Sequence, residues 1–182
     1  MRHWLLRRPD LALSCGAIET AGILDMSDYT ATLRWQRQPG EAFVDNRYHR
    51  RHDWAFDGGA VVAGSSSPLH VRAPYSDVGA VDPEEALVAA ASSCHLLCFL
   101  FRAAQAGWQV DEYRDDAAGR MGRDAQGREY IERITLRPAV RFGGGRAATR
   151  AQLDALHHQA HEDCYIANSL RGEVVCEPVT GD

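Results

Sequence analysis

The sequence predicts an α+β fold in which antiparallel sheet wraps around two buried helices, in the order β-β-β-α-β-β-α-β. Three observations predict it. Stretches of period-two alternation open the chain after residue 28 and return between residues 109 and 142. A long apolar stretch with a strong helix start occupies residues 82–106, and a shorter amphipathic stretch begins near Thr149. The chain carries no internal repeat and no low-complexity segment.

Tyr29 to Gln36, Y-T-A-T-L-R-W-Q, alternates β-branched and aromatic residues and reads as a strand, broken by Gln38-Pro39-Gly40. Residues 47–56, R-Y-H-R-R-H-D-W-A-F, alternate aromatic and basic residues and read as a second strand, with Arg50, His52, Tyr48, Trp54 and Phe56 on one face. Gly58-Gly59 turns the chain into a short third strand at 60–63. The serines, Pro68 and Pro74 of residues 65–82 predict a loop. Asp82-Pro83-Glu84-Glu85 then supplies an N-cap, a proline at the first helical position and acids in the first turn. A helix should run from there to about Ala106 and stop at Gly107. It is apolar on nearly all sides, with Leu87, Ala90, Ala91, Leu97, Cys98 and Phe101 on the stripe of Cys94, and is expected to be central and buried. Residues 109–121 and 127–142 read as a long hairpin about the turn Asp124-Ala125-Gln126-Gly127. Gly143-Gly144-Gly145 ends it. The second helix starts near Thr149, turns Leu153, Leu156 and Ala160 inward, and ends around Cys164. Residues 173–179 form the last strand.

The chain has 182 residues, 45% hydrophobic and 25% charged, with a formal net charge of −5. That composition suits one soluble domain with a full core. The acidic balance argues against a nucleic-acid or anionic-membrane surface, where Lys and Arg cluster. No run reaches the roughly 18 apolar residues that span a bilayer. The N-terminal apolar run is broken by Arg7, Arg8, Pro9 and Asp10 and is too short for a signal-peptide core. Residues 1–26 are therefore expected to be a disordered or loosely docked extension, with Met26 an alternative start, ahead of a single domain at 27–182. A cytoplasmic location follows from the same reading. Five cysteines (15, 94, 98, 164 and 176) without an export signal argue against a disulfide framework and leave redox, metal or packing roles.

Cys94 lies on the helix stripe with Cys98 one turn later, a place where a core thiol is usually inert. Cys164 lies in the polar run H-E-D-C-Y-I-A-N-S-L. Both helices pack inside one sheet system, so the two thiols can face each other, but spacing alone does not decide whether they do. A nucleophilic thiol needs a depressed pKa. Cys94 is twelve residues past the N-cap, beyond the reach of the helix dipole, so a cation must come from elsewhere. Arg50 and, second, Arg47 of the arginine-rich segment are the candidates. Glu84 could orient such an arginine; lying about 15 Å along the helix from Cys94, it would do so from a second subunit.

Two segments, V-D-P-E-E-A-L-V-A-A-A-S-S-C-H (81–95) and H-E-D-C-Y-I-A-N-S-L (161–170), resemble the paired signatures of the OsmC/Ohr family of osmotically inducible and organic-hydroperoxide-resistance proteins. The resemblance covers about residues 28–180. It implies an intertwined homodimer with active sites at the subunit interface. It also implies reduction of organic and hydrogen peroxides by an external dithiol such as a lipoyl group, with no bound cofactor or metal. By position Cys94 matches the peroxidatic cysteine, Cys164 the resolving one, and Glu84 the acid that holds the active-site arginine. Tyr165, where the family often has proline, and His95 after the first cysteine point to the OsmC-like side. Three other readings use the same residues. Cys94, Cys98, His161 and Cys164 could ligate zinc. Cys94 with His157 or His161 could perform acyl transfer. A redox sensor or ligand-binding protein would use the thiols without turnover. Cys98 and Cys176 are read as packing residues.

Overall fold

A computed structural model describes residues 28–179; the extension at 1–26, and Cys15 within it, lie outside the described residues. The first sheet is a three-stranded antiparallel meander of β1 (Ala31–Arg34), β2 (His52–Phe56) and β3 (Val61–Gly64). β2 is half the length its alternation predicts. Residues 47–51 leave the strand because their backbone bonds elsewhere: His49 N–H donates to the Glu41 carboxylate and Arg50 N–H to the Tyr75 carbonyl. The shared strand face expected for Tyr48, Arg50 and His52 therefore does not form.

Helix α1 spans Pro83–Gln105. Its start is built as the sequence predicts. The Asp82 carboxylate accepts from Glu85 N–H at 2.8 Å and the Glu85 carboxylate accepts from Asp82 N–H at 3.3 Å, closing a capping box. The β3 end is pinned beside it, where Ser65 N–H donates to Val81 O and Val81 N–H to Ala63 O.

The expected long hairpin is present but broken in the middle into four strands. β4 (Val110–Asp115) pairs with β7 (Pro138–Phe142), and β5 (Ala118–Arg123) pairs with β6 (Glu129–Leu136). Asp115 opposes Pro138 and Ala118 opposes Thr135, so the hairpin register continues across the break. Pro138 has no N–H for the ladder, and Asp115 turns its carboxylate to Ser92 and to Arg137 N–H instead. The two halves diverge there, and each packs on a different flank of α1. The turn falls at Asp124–Gly127, with Gly127 at φ +77°.

Helix α2 (Arg150–Asp163) begins at a second capping box, Thr149 with Gln152. A short helix α3 (Tyr165–Ser169), absent from the sequence reading, follows at once. β8 (Glu173–Cys176) then joins the edge of β6. That pairing is parallel, so the sheets are not purely antiparallel; the α2–α3 crossover from the hairpin returns the chain in the direction of β6. Gly172 makes the junction possible, since a Cβ there would collide with the Ile131 carbonyl oxygen and crowd the Glu132 backbone. Gly172→Ala should cost about 1–3 kcal/mol, the usual range for overpacking. Urea unfolding checks this, and an unchanged midpoint would mean that β6 moves aside freely.

Two apolar clusters flank α1. Cys98, Phe99 and Ala103 pack with Leu153, Leu156 and Ala160 of α2, the three inward residues the sequence names. Ala91 packs with Ile134 and Leu136 of β6. Arg102 of α1 clamps Asp163 of α2 with two bonds of 2.6 and 2.9 Å. The buried face of α1 is Ala91, His95, Cys98, Phe99 and Ala103, rotated from the predicted stripe, and Leu97 is 61% exposed. A helix apolar all round gives no phase to its periodicity, so sequence could not say which side this chain covers. By length and composition α1 is also apolar enough to cross a membrane, contrary to the sequence expectation; in this fold one face of it forms the center of the two clusters.

Candidate active site

Cys94 sits in the fourth turn of α1, half-buried against the first cluster. Cys164 is fully buried where α2 ends and α3 begins. Its Sγ accepts from Ala167 N–H at 3.4 Å and lies 4.0 Å from the Ala91 carbonyl oxygen, one turn before Cys94. Cys94 lies close enough to Cys164 to influence its thiol. The packing of α1 on α2, where small Ala103 and Ala160 let the helices approach, brings together cysteines 70 positions apart.

Burial is the main force on Cys164, pushing its thiol up to about 11; the Ala167 N–H opposes this, and Cys94 adds to it. Cys164 therefore stays protonated at neutral pH, with the Ala91 carbonyl oxygen as its acceptor. A protonated Cys164 suits the role of a waiting thiol.

The two charged site candidates are elsewhere within this chain. The Arg50 guanidinium lies 3.8 Å from the center of the Tyr48 ring and donates to the Asn46 and Tyr48 carbonyl oxygens. It lines a groove between β1, β2 and Pro83 at the start of α1. Arg47 pairs with Asp45. Glu84, in the first turn of α1, lines a cleft of about 850 Å³ whose walls include Val88, Leu96, Met121 and Ile131. Ser92 and Ser93, beside Cys94 in sequence, reach the same cleft.

The predicted zinc quartet of Cys94, Cys98, His161 and Cys164 is not gathered. Among the described residues the group placed to share a metal is His95, His157 and Cys176. His95 Nε2 is 3.0 Å from His157 Nδ1 and 3.6 Å from Cys176 Sγ. The side-chain partner of His157 is thus His95, and Cys176 packs against the second cluster, as the sequence reading has it, while also lying beside His95. Helical counting could have found His157, four residues from the inward Leu153, but not His95, because the all-apolar α1 leaves its buried side undefined.

Fold and site together define a class, an α+β domain that carries two neighboring thiols at the contact of its main helices. Residues 76–178 match the model of the OsmC-like protein family, and the chain belongs to that family. An OsmC-like protein of unknown function from Vibrio cholerae is similar at 47% identity, covering 85% of this chain and 100% of its own, with a TM-score of 0.83. The organic hydroperoxide resistance protein OhrB of Bacillus subtilis shares the fold at 16% identity, with 86% and 99% coverage and a TM-score of 0.60. An OsmC-like protein from Mycoplasma pneumoniae does so at 12% identity, with 86% and 99% coverage and a TM-score of 0.63. No curated protein matches the chain.

Proposed function

We propose that this protein is a thiol peroxidase that reduces organic hydroperoxides, and hydrogen peroxide less readily, in the cytoplasm. The contact between Cys94 and Cys164 carries the reading. The Cys94 thiolate attacks the distal peroxide oxygen; the O–O bond breaks, the alkoxide leaves and takes a proton, and Cys94 becomes a sulfenic acid. The Cys164 thiol then condenses with it, forming the disulfide and releasing water. An external dithiol, a lipoyl group in this proposal, reopens the bond by two exchange steps and leaves as its own cyclic disulfide. The chemistry requires no bound cofactor.

Resistance to organic hydroperoxides is named for the Bacillus subtilis neighbor, which supports the same substrate class. Cys94 needs a cation, and we assign this to Arg50, with Arg47 second, oriented by Glu84 of the other subunit in a homodimer. The uncovered side of α1, with Leu97 and Leu100, and the exposed Leu33, Phe56 and Val61 of the first sheet support such a partner.

The test is peroxide consumption by the reduced full chain with dihydrolipoamide, comparing cumene hydroperoxide with hydrogen peroxide. Sustained turnover, faster with cumene hydroperoxide and lost in Cys94→Ser, is the expected result. A wild-type chain that turns over neither peroxide with its thiols fully reduced would sink the proposal.

A further inference from the structure

We propose that His95, His157 and Cys176 form a binding site for a divalent transition metal ion, zinc first, separate from the Cys94–Cys164 pair. The three residues come from α1, α2 and β8, so only the tertiary fold gathers them. Their donor atoms all lie within 4.8 Å of one another. Tetrahedral zinc, with bonds of about 2.05 Å to nitrogen and 2.3 Å to sulfur, separates two nitrogens by about 3.3 Å and nitrogen from sulfur by about 3.6 Å. The observed separations are 3.0 Å between His95 Nε2 and His157 Nδ1 and 3.6 Å between His95 Nε2 and Cys176 Sγ. The His95–Cys176 distance already fits, a shift of a few tenths of an ångström fits the nitrogens, and the His157–Cys176 separation lies within 4.8 Å.

The alternative, a self-sufficient hydrogen-bonded core group, leaves the cluster short of partners. Both imidazoles are essentially removed from solvent, yet His95 Nδ1 and His157 Nε2 have no hydrogen bond among the described residues, nor does the nearby Tyr113 hydroxyl. One shared proton between two neutral rings leaves an N–H and a lone pair unmet whichever ring donates. An ion gives each inner nitrogen its own bond in place of the one shared proton.

The surroundings suit a cation. Burial, together with the charge of His161, pulls His95 down to about 4, and burial with His95 and Arg150 pulls His157 down to about 3, so both rings are neutral ligands at pH 7. Asp115 acts on His95, Asp154 on His157, and both with Glu177 on Cys176, so carboxylates act on every ligand, opposed at the histidines by His161 and Arg150. Cys176, pushed up to about 12 mainly by burial, gives up its proton as the metal–sulfur bond forms. Two imidazoles and one thiolate are a borderline-soft set that selects zinc over calcium or magnesium. A groove lined by His157, His161 and Cys176 reaches the cluster, providing the entry path and a fourth ligand position for water.

Cobalt(II) reads the site directly. The full chain, reduced and stripped with chelator, is titrated with cobalt, and zinc is then added in competition. The expected result is one equivalent of cobalt with tetrahedral d–d bands and a thiolate-to-cobalt charge-transfer band, displaced by zinc. Cys176→Ser should lose the charge-transfer band. His157→Asn should weaken binding by at least the roughly 10- to 100-fold that loss of an outer-shell partner costs. The Cys94→Ser/Cys164→Ser double variant should bind as wild type does, whether or not the chain is a peroxidase. Wild-type protein with no cobalt spectrum would overturn the proposal. So would a spectrum that survives Cys176→Ser and vanishes in the double variant. Circular dichroism on each variant separates loss of a ligand from loss of the fold.

Discussion

Cys164→Ser should accumulate a sulfenic acid on Cys94 where the wild-type chain forms a disulfide. In the native chain Cys94 lies close enough to Cys164 to influence its thiol, so a sulfenic acid on Cys94 has Cys164 as a nearby partner. Serine keeps the buried volume but cannot condense. After one equivalent of peroxide, dimedone should label Cys94 in Cys164→Ser nearly completely and in wild type hardly at all. Excess peroxide should carry the variant on to sulfinic acid, which thiols do not reverse. Non-reducing peptide mapping of wild type should show Cys94 joined to Cys164, with Cys98 and Cys176 still reduced. A disulfide through Cys98 or Cys176, or equal dimedone labeling of both proteins, would remove Cys164 from the resolving role.

Phe99→Ala should be the most destabilizing single core substitution, costing about 3–5 kcal/mol. Phe99 is fully buried where α1, α2 and β4 meet. Its ring stacks on His157 with centroids 4.4 Å apart and tilts against Tyr113 at 5.4 Å. Truncation opens a cavity that the neighboring elements cannot close, because Arg102–Asp163 on one side and the β4–β7 ladder on the other hold them apart. The loss corresponds to a fall in Tm of about 10 °C or more for a chain of this size. Val44→Ala, at a 97% exposed side chain, is the control and should stay within about 0.5 kcal/mol. A Phe99→Ala loss below about 1 kcal/mol would mean that the α1–α2 interface repacks.

Local rules carry their own answer in the sequence. Both capping boxes, Asp82 with Glu85 and Thr149 with Gln152, depend on side chains three residues apart, so the helix starts were legible to the residue. The Asp124–Gly127 turn was legible because Gly127 takes a positive φ. The inward face of α2 was legible because its apolar residues have a single phase against a polar background. The paired cysteine segments were legible as a family resemblance, and the match over residues 76–178 agrees with it.

What sequence left open was set by packing across long separations. α1 has no polar face to fix its rotation, so only its contacts with α2 and β6 decide that His95 turns inward and Leu97 outward. The hairpin bends at Asp115 and Pro138 because the two halves must each cover a different flank of α1, a demand that alternation does not encode. The contact of Cys94 with Cys164, and the meeting of His95, His157 and Cys176, join elements 62 to 81 residues apart in the second case. Residue type and spacing determined which side chains could do chemistry. Only the fold decided which of them touch, because burial and distance are properties of the packed helices and sheets rather than of any one segment.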